Sequence, residues 1–210
     1  MEIISDKIKF SPAISGGTKL GFENFWPLFL TSIVYLLTCW IPYLNIGTTI
    51  AYTKLPVKIA RGEKITPEYL FESHWFHFMG DYFILIGIMF AALVMGFCLF
   101  VVPCIVLSLA WALATLLLLD KRMNAMDALH ESNRLTEGSK WQMFLVILAY
   151  CAVLGVLVWA FSAIFGGNAI GKILSIAVGL VAIPVYEGIL AQFYKTLVLA
   201  RDNYGDVSSE

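Results

Sequence analysis

A chain of 210 residues that is 60% hydrophobic and only 14% charged, with a mean hydropathy of +0.80, is too apolar for a soluble domain, where about a quarter of residues carry charge. Its net charge of -1 offers no basic surface to a nucleic acid. The four cysteines (Cys39, Cys98, Cys104 and Cys151) sit inside apolar runs without metal-ligand spacing and read as small buried hydrophobes; Cys98 and Cys104 flank one turn, and a pairing there stays open.

The first ten residues mix charged with apolar side chains and lack the continuous apolar core of a signal peptide, so insertion is expected to rely on the first membrane helix. From there the chain reads as successive apolar runs, and a bilayer core of about 30 Å takes about 20 apolar residues in a helix. The first run is 25–41, opened by Trp26 and closed by Trp40 as an interfacial aromatic belt would have it. The second, 46–60, is short and polar, with Thr48, Thr49, Thr53, Lys54 and Pro56. It counts as a span because the cations after it must lie opposite the uncharged turn before it. The runs 82–101, 103–119, 141–165 and 172–199 follow, and the last, longer than the hydrocarbon is thick, is expected to tilt or to kink at Pro184.

Six runs make three hairpins. Thirteen of the fourteen cations fall in the connections on one side: Lys7, Lys9 and Lys19 lead in, Lys54 to Lys64 and Lys121 to Lys140 join the hairpins, and Lys195 and Arg201 close the chain. Only Lys172 occupies an alternate turn (42–45, 96–103 or 166–172). The positive-inside rule then expects a multi-pass protein of the bacterial inner (cytoplasmic) membrane with both termini in the cytoplasm.

The hairpins also resemble one another. Pro42, Pro103 and Pro184 each open an apolar stretch that ends on Arg61, Arg122 or Arg201, at separations of 19, 19 and 17 residues. Ahead of each hairpin lies an amphipathic stretch, expected as interfacial helices near 12–22, 66–80 and 125–138. Thr66-Pro67-Glu68 supplies a cap, a first-turn proline and a dipole-matched acid; Asn124 with Asp127 resembles a capping pair, and Gly138 is a plausible stop. The expectation is one all-α membrane domain over 1–210, with pseudo-repeats 12–62, 66–122 and 125–202.

The stretch 97–145 carries a more specific pattern: Gly96 and Pro103 at an outer turn, Asp120 before two cations, Ala128, Leu129 and Ser132 on the following helix, then Thr136, Gly138 and Trp141. In these residues the chain resembles the YciC-like small bacterial integral membrane proteins and the membrane domain attached to some glycerophosphoryl diester phosphodiesterases. The resemblance covers most of the chain in layout and about fifty residues in motif, and it departs at Cys104, where many relatives carry a second glycine. It implies the fold rather than an activity. No stretch reads as the phosphodiesterase catalytic domain, so that chemistry is not expected.

Candidate chemistry is sparse. Glu187 lies about 21 Å from the cytoplasmic helix end at 1.5 Å per residue, a costly depth for an acid, so it should face the bundle interior. With Pro184 beside it to free a carbonyl, Glu187 is either an ion- or proton-responsive carboxylate or a hydrogen-bonded link to Thr48, Thr49, Thr53 or Lys54. His74, Trp75, His130 and Arg134 offer docking faces for a partner. His74 and His77 have a spacing that a metal could use, although their aromatic neighbours favour a helix at the lipid headgroups. There is no GxSxG, Walker A, HExxH or CxxC pattern. Neither an enzyme nor a cofactor is expected. The expected function is a scaffold or accessory subunit that binds membrane lipids or a larger membrane-protein complex; the alternative is a small transporter or channel centred on Glu187.

Overall fold

The structure, a computed structural model, describes residues 8–99, 101–165 and 168–202; Lys7 and the first two positions of the expected turn 166–172 lie outside the described residues. Every regular element among them is helical. In chain order they are α1 (Phe10–Glu23), α2 (Phe25–Thr38), α3 (Pro42–Thr53), α4 (Leu55–Arg61), two 3-10 turns (Pro67–Phe71 and Ser73–Phe78), α5 (Met79–Leu99), α6 (Val101–Ala110), α7 (Ala114–Lys121), α8 (Ala125–Thr136), α9 (Lys140–Phe165) and α10 (Ala169–Tyr194), which passes into a π-helical turn (Lys195–Leu199).

Four helical stretches are long and apolar enough to cross a membrane: Ser73–Cys98, Val102–Lys121, Lys140–Phe165 and Gly171–Asp202. A fifth is reached if α1 and α2, bent by 73° at Asn24, count as one. Six were expected. The expected span 46–60 is divided at Lys54 into parts of α3 and α4, helices of 12 and 7 residues, and neither has the length of a crossing by itself. Pro56, at the second position of α4, lacks the N–H that would continue the ladder of α3.

Burial separates two ends. At one end Leu55, Trp75, Leu113, Leu117, Phe193 and Tyr194 are almost fully enclosed. At the other, the outer halves of α5, α6, α9 and α10 leave Phe90, Met95, Val102, Val156, Trp159 and Ile173 exposed. Apolar surface on this scale is stable against lipid, not water. The molecule is built as a membrane protein.

Three local features differ from simple helices. The stretch 66–80 was expected to be a single amphipathic helix; it is two 3-10 turns hinged at an extended Glu72. An α-helix would turn Tyr69 and Trp75, six residues apart, about 120° away from each other. The hinge instead brings both inward, with the Trp75 indole donating to the Tyr69 carbonyl at 2.9 Å. The second feature is the break between α6 and α7, where Ser132 of α8 accepts from the Leu113 N–H at 3.2 Å and donates to the Ala110 carbonyl at 2.8 Å, replacing the missing ladder bonds. The third is Pro184, which sits inside an unbroken α10; the irregular turn comes eleven residues later, at Lys195.

The helices expected near 12–22 and 125–138 are present. Asn124 caps α8 by accepting from the Asp127 N–H at 2.9 Å, and Gly138 takes the left-handed conformation just past its end. α1 is held against α10 through glycine. A Cβ at Gly188 would lie 2.4 Å from the Gly17 carbonyl oxygen, and one at Gly21 would lie 2.8 Å from that of Pro184. Gly17 and Gly21 form a small-xxx-small face that lets two backbones touch.

Candidate functional site

Three separate parts of the chain, α4 with the Lys54 junction before it, α7 and α10, converge on one acid. The Asp120 side chain, at the end of α7, is 1% exposed. Its Oδ2 takes Arg61 of α4 at 2.6 Å and accepts the hydroxyl of Tyr194 from α10; its Oδ1 lies 3.9 Å from the Lys54 ammonium and has no hydrogen-bond partner among the described residues. One residue on, Lys121 pairs with Asp202 at 2.7 Å. Three cations also rest on rings of the two 3-10 turns, among them Lys54 and Lys58, the latter 4.0 Å from Glu63. Lys58 stands 3.8 Å from the centre of the Tyr69 ring, Lys54 5.8 Å from Trp75, and Arg122 6.0 Å from Phe78. Burial pushes the Tyr69 phenol far above its usual range, so the ring under Lys58 stays neutral. The hinge at Glu72 therefore has a purpose: it lays aromatic faces over the cationic end of α4.

Glu187 occupies a different setting. It is 7% exposed and makes no hydrogen bond or ion pair among the described residues. Its expected partners are engaged elsewhere. Thr48 bonds Thr38 at 3.0 Å, Thr49 bonds Asn45 at 3.0 Å, Thr53 meets Tyr82 at 3.2 Å, and Lys54 turns to Asp120. The Tyr150 hydroxyl of α9 donates to the Ala182 carbonyl at 2.7 Å, and that of Tyr52 meets Ser32 at 2.9 Å. Pro184 is buried one turn away, against Gly21 of α1.

The four docking residues are divided. Trp75 is 1% exposed and belongs to the interior. His74 is half exposed, packs on Trp75 and pairs with Glu72 at 3.0 Å; His130 is exposed on α8, and Arg134 makes a two-pronged pair with Glu131 at 2.6 and 2.7 Å. That pair holds the Glu131 carboxyl below its usual range and raises the Arg134 guanidinium. The four cysteines are free thiols.

Sequence reasoning placed Asp120 in a motif without seeing what it does. The signal was a single acid ending the run TLLLLD, directly before two cations. Compared with family models, curated proteins and solved structures, the chain has no match.

Proposed function

We propose that this chain is a multi-pass protein of the bacterial inner (cytoplasmic) membrane, acting without catalysis as a scaffold or accessory subunit that binds lipids and the helices of a larger complex. The observation that carries the reading is the division of the molecule: one end is closed and tied through Asp120, while the outer halves of two hairpins present bare apolar faces. A tied end fixes the angle at which the hairpins enter the bilayer, as a scaffold requires. His74, His130 and Arg134 lie exposed near that end as contacts for a partner.

In this reading α3 and α4 cross together beside α2, giving six passages with both termini in the cytoplasm. Three units (12–62, 66–122 and 125–202) each place a surface segment before a hairpin. The parallel breaks in their second helices, at Lys54, at 111–113 and at the turn Lys195–Leu199, support the repeat. Kinship with the YciC-like proteins rests on the sequence motif alone; within this chain two of the motif residues have structural roles, Ser132 at the α6–α7 break and Asp120 at the junction of α4, α7 and α10. Extraction of the tagged full chain from native membrane in mild detergent tests the function: a stoichiometric membrane-protein partner or a retained lipid is expected, and a bare chain with neither would contradict it.

The second reading is a small transporter or channel, favoured by one observation: the Glu187 carboxylate is enclosed and unpaired among the described residues. An acid held at that cost without a structural bond is characteristic of ion pathways.

A further inference from the structure

Thirteen of the fourteen cations lie in the connections on one side, and the exception, Lys172, has a setting of its own. It lines a cavity of about 350 Å³ between the outer ends of α9 and α10, together with Ser162, Gly171, Ser175 and Ile176. The cavity follows from the packing of the two helices. A Cβ at Gly171 would lie 3.1 Å from that of Phe165, so the helices meet closely there. Ser162 lies about one turn before Phe165 on α9, and Ser175 about one turn after Gly171 on α10. With side chains this small, the next layer stays unfilled.

The lining has the chemistry of an anion site in an apolar setting. Lys172 is exposed and has no acid partner among the described residues. The Ser162 hydroxyl forms no hydrogen bond among them and can donate. The Ser175 hydroxyl gives its proton to the Gly171 carbonyl at 2.9 Å, which leaves its oxygen to accept. On the same stretches of α9 and α10, Trp159, Ile164, Ile173 and Ile176 are exposed. Further along, a Cβ at Gly155 or Gly179 would meet nothing within 4 Å. A polar pocket that opens onto bare apolar helix faces fits a molecule with a charged head and apolar tails.

We propose that this cavity binds the headgroup of an acidic glycerophospholipid, of which phosphatidylglycerol is the fitting case, in the outer leaflet. The proposal rests on the scaffold reading and deepens it by naming the lipid and its seat. The Lys172 ammonium takes the phosphate, Ser162 donates to a second phosphate oxygen, and a glycerol hydroxyl of the lipid donates to the Ser175 oxygen. The acyl chains lie along α9 and α10 past Gly155 and Gly179. The volume, in the range of small-ligand sites, suits the headgroup, and the chains stay outside it. A lone lysine selects for net charge. Phosphatidylethanolamine brings its own ammonium to its phosphate, whereas phosphatidylglycerol leaves a full negative charge to be matched.

Native mass spectrometry of the full chain in detergent, titrated with phosphatidylglycerol or phosphatidylethanolamine, tests the proposal. Tighter retention of phosphatidylglycerol is expected. Lys172→Ala should weaken it about tenfold, the loss of one charge-assisted hydrogen bond. Ser162→Ala should weaken it less, and Lys172→Arg should keep it. Lys19→Ala, which removes an exposed cation of the other side, should leave it unchanged. Should Lys172→Ala fail to fold, Ser162→Phe, which fills the cavity, decides. Equal retention of the two lipids, or no loss in folded Lys172→Ala or Ser162→Phe, overturns the proposal. A loss in Lys19→Ala as large as in Lys172→Ala would be a general response to positive charge and refutes it as well. Displacement of the lipid by inorganic phosphate would assign the cavity to a soluble anion instead. Each of these failures leaves the scaffold reading standing as long as extraction from native membrane still brings out a partner or another lipid.

Discussion

Asp120 shows how a single residue can organise a chain that otherwise relies on lipid. An enclosed carboxylate has lost its water, and it is stable only because Arg61, Tyr194 and Lys54, from two distant parts of the chain, face it. Removing it leaves the half-buried Lys54 without its acid and Arg61 with only Glu63, at 4.0 Å. Asp120→Ala should therefore destabilise the folded chain by about 3 kcal/mol, the lower range for breaking a buried pair, since Arg61 is partly exposed. Unfolding in mixed micelles measures this, and a loss below about 1 kcal/mol would make the pair ornamental. Glu131 is the surface counterpart. Its folded carboxyl titrates below the ordinary value of 4.5, so the help from its Arg134 pair is complete above that pH and is lost as the pH falls through the lower folded value. Proteolysis of α8 should rise across that acid window in the parent chain, and Glu131→Gln should remove the dependence.

At the scale of elements, the breaks and close contacts are more informative than the long helices. Ser132→Ala leaves the Leu113 N–H without its bond at the α6–α7 break and the Ala110 carbonyl with only the Thr136 hydroxyl at 3.4 Å, at a cost of about 1–3 kcal/mol in the same unfolding measurement. Gly188→Val pushes a side chain into the backbone of α1, so α1 should leave α10 and Lys19 should be cleaved faster by trypsin. An unchanged cleavage rate would mean that the two helices are not held together by glycine. Of these elements, α8 was legible because its cap, its apolar stripe and its stopping glycine are all local. The 66–80 segment was misread as one helix because its start signals are sound while its course is set by distant cations, Lys54 and Lys58, that its rings must cover. The glycine contact of α1 was not legible, because its partner, Gly188, is far along the chain.

For the whole molecule, the solvent decides the architecture. The apolar runs and the one-sided cations are readable because lipid acts on each segment separately. The Asp120 junction was not readable, because it exists only when residues 54, 61, 120 and 194, far apart in the chain, are brought to one place by the fold. Likewise, Glu187 was legible as a buried acid, but its lack of a bonding partner among the described residues emerges only once every threonine nearby has been assigned another bond.

The account depends on these hairpins lying in a bilayer with their cation-rich connections on the cytoplasmic side. Single cysteines at Tyr43, Lys64 and Lys140, in a chain whose four native cysteines are replaced, can be exposed to a membrane-impermeant maleimide in intact spheroplasts. The account predicts labelling at 43 at once, and at 64 and 140 only after the membrane is permeabilised. Labelling at 64 or 140 in intact spheroplasts, or protection at 43, would contradict it.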